Sequence, residues 1–284
     1  IRIQMVRFKI LQFLAVFHDS ATDCTTVTLI ALYQWYCEKN DASAWVCKEN
    51  NLFDHAQQIF SLMPDAYFIY LCRDGRDYAC SIKRVPSHDQ HIFFIAQEWL
   101  AEQEKSLRIY QEVSPIRRIF LLRYEDLITD PEKQLSDLCA FLEIDYQPGM
   151  LDYYADEGTK QDAQKTAYWA NLARPVMKEN RAKFYNQLSK SEIKLFERIA
   201  GSMLRVLGYP LVFPQNPAAI KPWQKVSYWI QNKIAIRKQR SELLKEPGRA
   251  ARTHVLQQMQ ARSQHIQNAY LQPLSYQPHI NDED

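Results

Sequence analysis

MPDAYFIYLCRDGRDYACSIKR, residues 63–84, passes from an apolar run through a charged turn into a stretch of helix-forming residues. AYFIYLC, 66–72, is near-continuous in apolar and aromatic side chains, the pattern of a strand in a parallel sheet buried on both faces. It stops at RDGRD. Downstream, a helical stretch from about 90 to 112 leads to a second apolar strand, RIFLLRY, 118–124, which again ends on charge at Glu125-Asp126. Asp130 then caps a helix with Pro131 at its first position and Leu135, Leu138, Cys139 and Leu142 on one face. Strand, helix, strand, helix in this order predicts an α/β fold.

Further out the signals vary in strength. Residues 189–208 read as a helix opened by a Ser189/Glu192 capping box and closed by Gly208. Upstream, 7–17 and 27–37 carry mixed apolar patterns, of which the second is predicted helical; 45–47 (WVC) reads as a short strand ending at Lys48, and 52–62 as an amphipathic helix. Four prolines fall in 210–222, and 247–284 is polar and Gln-rich. These shifts predict an α/β domain over 1–212 and a basic helical extension with a polar tail over 213–284. In the extension, Val226, Trp229, Ile230 and Ile234 share a helical face after Trp223, among Lys225, Lys233, Arg237, Lys238 and Arg240. Such a helix over 223–240 suits peripheral contact with an anionic membrane, or packing on the α/β domain or a second subunit.

Composition narrows the function classes. The 284 residues are 46% hydrophobic and carry 35 Lys+Arg against 33 Asp+Glu, so no bulk positive field favours nucleic acid. Any anion site is local. The six cysteines form no CxxC pair and read as reduced thiols of a cytoplasmic protein, and no apolar run is long enough to span a bilayer. No cluster of His, Cys and carboxylates suggests a metal. A P-loop kinase or NTPase would need a GxxxxGK[ST] loop, which the sequence does not contain.

At the end of strand 66–72, Arg73 offers a planar donor fork to a phosphate, and Ser81 adds a hydroxyl from the first turns of the next helix. Arg76, Lys83 and Arg84 thicken the positive field; the plain structural reading pairs Arg73 with Asp74 or solvent. The 63–84 segment closely resembles the stretch of sulfotransferases that binds the 3′-phosphate of the nucleotide. The resemblance continues in order through LLRYEDLITDPEKQLSDLCAFLEID (121–145) and NLARPVMKENRAKFYNQLS (171–189), and upstream through WVCKENN (45–51), covering roughly 45–209. It is similar to the branch acting on tyrosylproteins and carbohydrates.

That resemblance implies a P-loop-NTPase-like parallel sheet flanked by helices, with 3′-phosphoadenosine 5′-phosphosulfate as sulfuryl donor and a hydroxyl on a saccharide, lipid, small molecule or protein tyrosine as acceptor. Arg73 and Ser81 would hold the 3′-phosphate, Tyr124 and Lys183 would make further nucleotide contacts, and Lys48 would take the charge growing on the bridging oxygen. One feature of the family is not found: a first strand running into a Gly- or Ser/Thr-rich loop for the 5′-phosphosulfate. No glycine precedes Gly75, and the hydroxyls near Ser20, Thr22, Thr25 and Thr26 read as a helix-capping turn. The chain begins at Ile1 rather than Met, so the loop is expected in a section of the gene product outside this chain. The alternative is a degenerate, non-catalytic nucleotide-binding or interaction protein that has lost it. His18, Asp19 and Asp23 are conceivable general bases, and His88 and His91 could line an acceptor site.

Overall fold

The computed structural model describes residues 21–48, 52–85, 88–165, 167–214 and 219–244, with single positions at 258 and 262. The 7–17 pattern, His18, Asp19, Ser20 and nearly all of the 247–284 tail lie outside the described residues.

The chain is mixed α/β. Helix α1 (Ala21–Lys39) and an extended segment lead through a 3₁₀ turn to α2 (Ala56–Leu62), strand β1 (Phe68–Cys72) and α3 (Gly75–Ile82). The long helix α4 (Ile92–Val113) brings the chain back to β2 (Ile119–Arg123), followed by α5 (Tyr124–Thr129), α6 (Pro131–Phe141) and α7 (Glu157–Lys165). Three more helices complete the described chain: α8 (Phe184–Gln187), α9 (Lys190–Val206) and α10 (Pro222–Leu244).

β1 and β2 pair in parallel from Phe68 opposite Ile119 to Cys72 opposite Arg123. The crossover between them runs through α3 and α4, the connection that parallel strands require. Both strands therefore end together, and everything that follows Cys72 and Arg123 emerges at one edge. α4 packs on α9 over the sheet, and Trp99, Ile95, Phe196 and Leu204 fill the space between them. Gly75 sits directly beneath this layer: a Cβ there would lie 2.5 Å from the Phe196 ring and 2.7 Å from Trp99. Glycine is what lets the turn after β1 approach the core.

Local signals explain the helix ends. Asp130 accepts from the Lys133 N–H at 3.3 Å ahead of Pro131, and Ser189 with Glu192 makes the complete capping box. Gly208 turns the chain out of α9 at φ +80°.

Four expectations are corrected. The sheet is not buried on both faces: Phe68, Tyr70 and Cys72 face the core, whereas Ile69 and Leu71 are 43% and 55% exposed, because α4 and α9 cover one side. Residues 45–47 form no strand; Trp45 instead stacks on Tyr33 of α1 at 4.6 Å and 11°, and Val46 is exposed. Tyr124 opens α5 rather than ending β2; Ser81 lies in the second turn of the two-turn α3. The apolar stripe of α10 does not pack on the domain; the opposite face does. No helix of the described residues is long and apolar enough to cross a membrane.

Candidate active site at the strand ends

The charged turn after β1 divides into two environments. In the first, Arg76 is buried. Its Nε donates to Asp74 Oδ1 at 3.0 Å, its Nη2 to Asp74 Oδ2 at 2.6 Å, and its Nη1 to Glu197 of α9. Asp74 also caps α3 by accepting the Arg76 N–H at 2.9 Å, and Glu197 accepts the N–H groups of Val212 and Phe213 at 2.9 Å each. The Phe184 ring lies 4.2 Å from the guanidinium. Each of the three guanidinium nitrogens of Arg76 donates inside the protein. Lys83 is likewise taken up, by an ion pair to Glu192. Neither adds to a field for a ligand, which corrects the expectation from sequence.

The second environment is open. Arg73 does not pair with Asp74: its guanidinium lies over the Tyr124 ring, 4.4 Å from the centroid, and Nη2 donates to the Asn180 carbonyl at 3.1 Å. Asn180 Nδ2 in turn bonds the Tyr124 hydroxyl. Stacking and this bond fix the plane of the guanidinium, while its buried Nε has no hydrogen-bond partner among the described residues. Around it, Glu125 ties the two strand ends together. Its Oε1 accepts the Asp74 N–H at 3.0 Å, and its Oε2 accepts the Tyr209 hydroxyl at 2.8 Å.

Lys183 enters from the other side, in the turn before α8. Burial lowers its pKa, and the nearby Arg73 and Arg84 guanidiniums lower it further, against an opposing pull from Asp77. Two guanidiniums therefore lie near enough to disfavour the charge on Lys183. The turn is held by Asp77 of α3, which is fully buried and accepts the Phe184 N–H at 2.9 Å through Oδ1. Its Oδ2 has no partner among the described residues, and burial raises its pKa. Ser81 Oγ donates to the Asp77 carbonyl at 3.3 Å, a weak intrahelical bond that leaves the hydroxyl's lone pairs available.

Arg73, Tyr124 and Lys183 thus come together, and Ser81 lies one helical turn beyond Asp77. Lys48 is exposed, on the segment that follows α1. The sequence reading missed Asn180, Glu125 and Asp77. Asp77, the second acid of RDGRD, and Glu125, the charge that ends the second strand, carried a local signal; Asn180 acts through a pairing between distant segments.

The match to known proteins falls on the same strand ends. The family model described as "Sulfotransferase family" matches residues 12–148. Over those residues, just under half of its length, the chain is similar to sulfotransferases. Two solved sulfotransferase domains also resemble it. That from the Curacin Biosynthetic Pathway has 22% identity over 57% of this chain and a TM-score of 0.42. That from the Synechococcus PCC 7002 Olefin Synthase has 19% identity over 67% and a TM-score of 0.46. The chain spans 59% of the first of these domains and 73% of the second. No group of three or more His, Cys, Asp or Glu side chains among the described residues is arranged to hold a metal ion.

His91 falls elsewhere. Its Nδ1 accepts the Phe93 N–H at 3.2 Å as the cap of α4, its ring stacks on Tyr228 at 4.6 Å, and burial lowers its pKa. It lines a groove of about 860 Å³ with Glu192, Arg198 and Phe213, among whose lining residues none belongs to the Arg73 cluster.

Proposed function

We propose that this chain binds 3′-phosphoadenosine 5′-phosphosulfate at the ends of β1 and β2 and transfers its sulfuryl group to a hydroxyl acceptor. The observation that carries this reading is the approach of Arg73 and Arg84 to Lys183, with the pKa of Lys183 depressed and a buried Arg73 Nε left without a partner among the described residues. A dianionic phosphate between these cations would supply the missing acceptor and relieve their repulsion. Arg73 and Ser81 would hold the 3′-phosphate, and Lys183 and Tyr124 would complete the nucleotide contacts.

In the transfer, the acceptor oxygen attacks sulfur as the bond from sulfur to the bridging oxygen breaks. The hydroxyl proton leaves to a base, and 3′-phosphoadenosine 5′-phosphate departs with the electron pair. Lys48 is assigned to the charge that grows on the bridging oxygen. Such an in-line displacement depends on positioning and charge neutralisation, so the fixed Arg73 plane and the pre-assembled cations are the protein's part.

Calorimetric titration with 3′-phosphoadenosine 5′-phosphate tests the site. Micromolar binding is expected, weakened roughly 10- to 100-fold by Arg73→Ala, the size of one charge-assisted hydrogen bond, and less by Ser81→Ala. Binding without transfer to any hydroxyl acceptor would favour the non-catalytic nucleotide-binding alternative. Absence of binding would overturn both.

A further inference from the structure

Helix α10 is attached to the domain by one polar face. Asn232, 3% exposed, accepts the backbone N–H groups of Gln90 at 2.7 Å and His91 at 2.9 Å through Oδ1, and donates Nδ2 to Asp89 at 2.6 Å. Two turns on, Gln239 Nε2 donates to the Lys83 carbonyl at 2.7 Å. Tyr228, one turn before Asn232, stacks on His91. At 3.6 residues per turn, Tyr228, Asn232, Ala235 and Gln239 form one stripe of the helix.

The opposite stripe is apolar and uncovered. Trp223, Val226, Ile230 and Ile234 are 66%, 58%, 47% and 60% exposed, with Trp229 beside them at 53%. Buried polar anchors on one side and a bare Trp/Ile surface on the other invert the usual arrangement of a domain-packed helix. Cations border this surface: Lys233 reaches over the Trp229 ring at 5.9 Å, and Lys225, Arg237, Lys238 and Arg240 complete the set. No Asp or Glu occurs between Glu197 and Glu242.

We propose that this face of α10 docks on an anionic lipid surface, its apolar side chains entering the headgroup boundary and its cations meeting the lipid charge. The helix has 23 residues, about 35 Å of length lying along the interface. Tryptophan with isoleucine inside and Lys or Arg at the margins is the composition such an interface selects. Charge decides against a second copy of the chain. A two-fold dimer through this face would set the same cations against themselves with no acid to separate them.

The test is sedimentation of the full chain with vesicles of phosphatidylcholine alone and of phosphatidylcholine with phosphatidylserine, read alongside tryptophan fluorescence. Partition onto the anionic vesicles with a blue shift is expected. The exposed triple change Lys233→Gln, Arg237→Gln, Lys238→Gln should weaken it on the order of a hundredfold, and Ile230→Ser with Ile234→Ser should also abolish the shift. Both variants should melt with the unaltered chain. Equal binding to both vesicle types, binding to neither, or a solution dimer dispersed by the same isoleucine substitutions would overturn the proposal.

Discussion

Arg73 and Arg76 stand three residues apart in one turn and have opposite fates. Arg76 is buried against the Phe184 ring with two carboxylates, so its charge is neutralised within the fold. Arg73 is held just as firmly, by a tyrosine face and a backbone carbonyl, yet neither of these cancels its charge. A buried, paired arginine organises structure; one that is oriented without a carboxylate in hydrogen-bond contact is ready for an anion. The type of residue says nothing about which role it takes. The partners decide it.

The sharpest way to break this contrast is to give Arg76 the electrostatic condition of Arg73. Glu197→Ala leaves a buried guanidinium short of one carboxylate and also strands the Val212 and Phe213 N–H groups. A loss of about 3–5 kcal/mol in urea unfolding is expected. A change under about 1 kcal/mol would mean that the pair behaves like a surface bridge. Gly75→Ala tests the packing that keeps the two environments apart. The new methyl meets two aromatic rings at 2.5 and 2.7 Å, and about 1–3 kcal/mol of stability should be lost. Unchanged stability would show that the turn can retreat from the core freely.

The smallest effect concerns the open side. A bound dianion favours the charged form of Lys183, so affinity for 3′-phosphoadenosine 5′-phosphate should fall as pH rises through the lysine's pKa. Because burial and its cationic neighbours hold that pKa below the ordinary lysine value, the decline should begin at lower pH than for an exposed lysine. Lys183→Met should flatten the profile while leaving the melting temperature at neutral pH little changed. A profile that persists in this variant would assign the titration to another group.

Much of the fold could be read without coordinates. The apolar runs at 66–72 and 118–124 end within two residues of the observed strands, and the caps at Asp130 and Ser189 are where the side chains required them. These signals are local: a strand needs apolar side chains in succession, and a cap needs one oxygen next to free N–H groups. Of the candidate site, Arg73, Tyr124 and Lys183 were named from three separate segments, and the structure brings them together, but the pairings that hold them there were not legible. Arg76 and Lys83 seemed equally cationic, because Glu197, which joins Asp74 on Arg76, and Glu192, which pairs with Lys83, lie more than a hundred residues along the chain.

The amino-acid sequence by itself determined the alternation of strands and helices, the glycine at the crowded turn and the cations of α10, since each depends on neighbours in the chain. Only the tertiary structure decided which arginine is neutralised, which face of the sheet is covered and which side of α10 meets the domain. Those outcomes depend on burial and on pairing between α3, α9 and the loop before α4, and no periodicity encodes the distance between a charge and its distant partner.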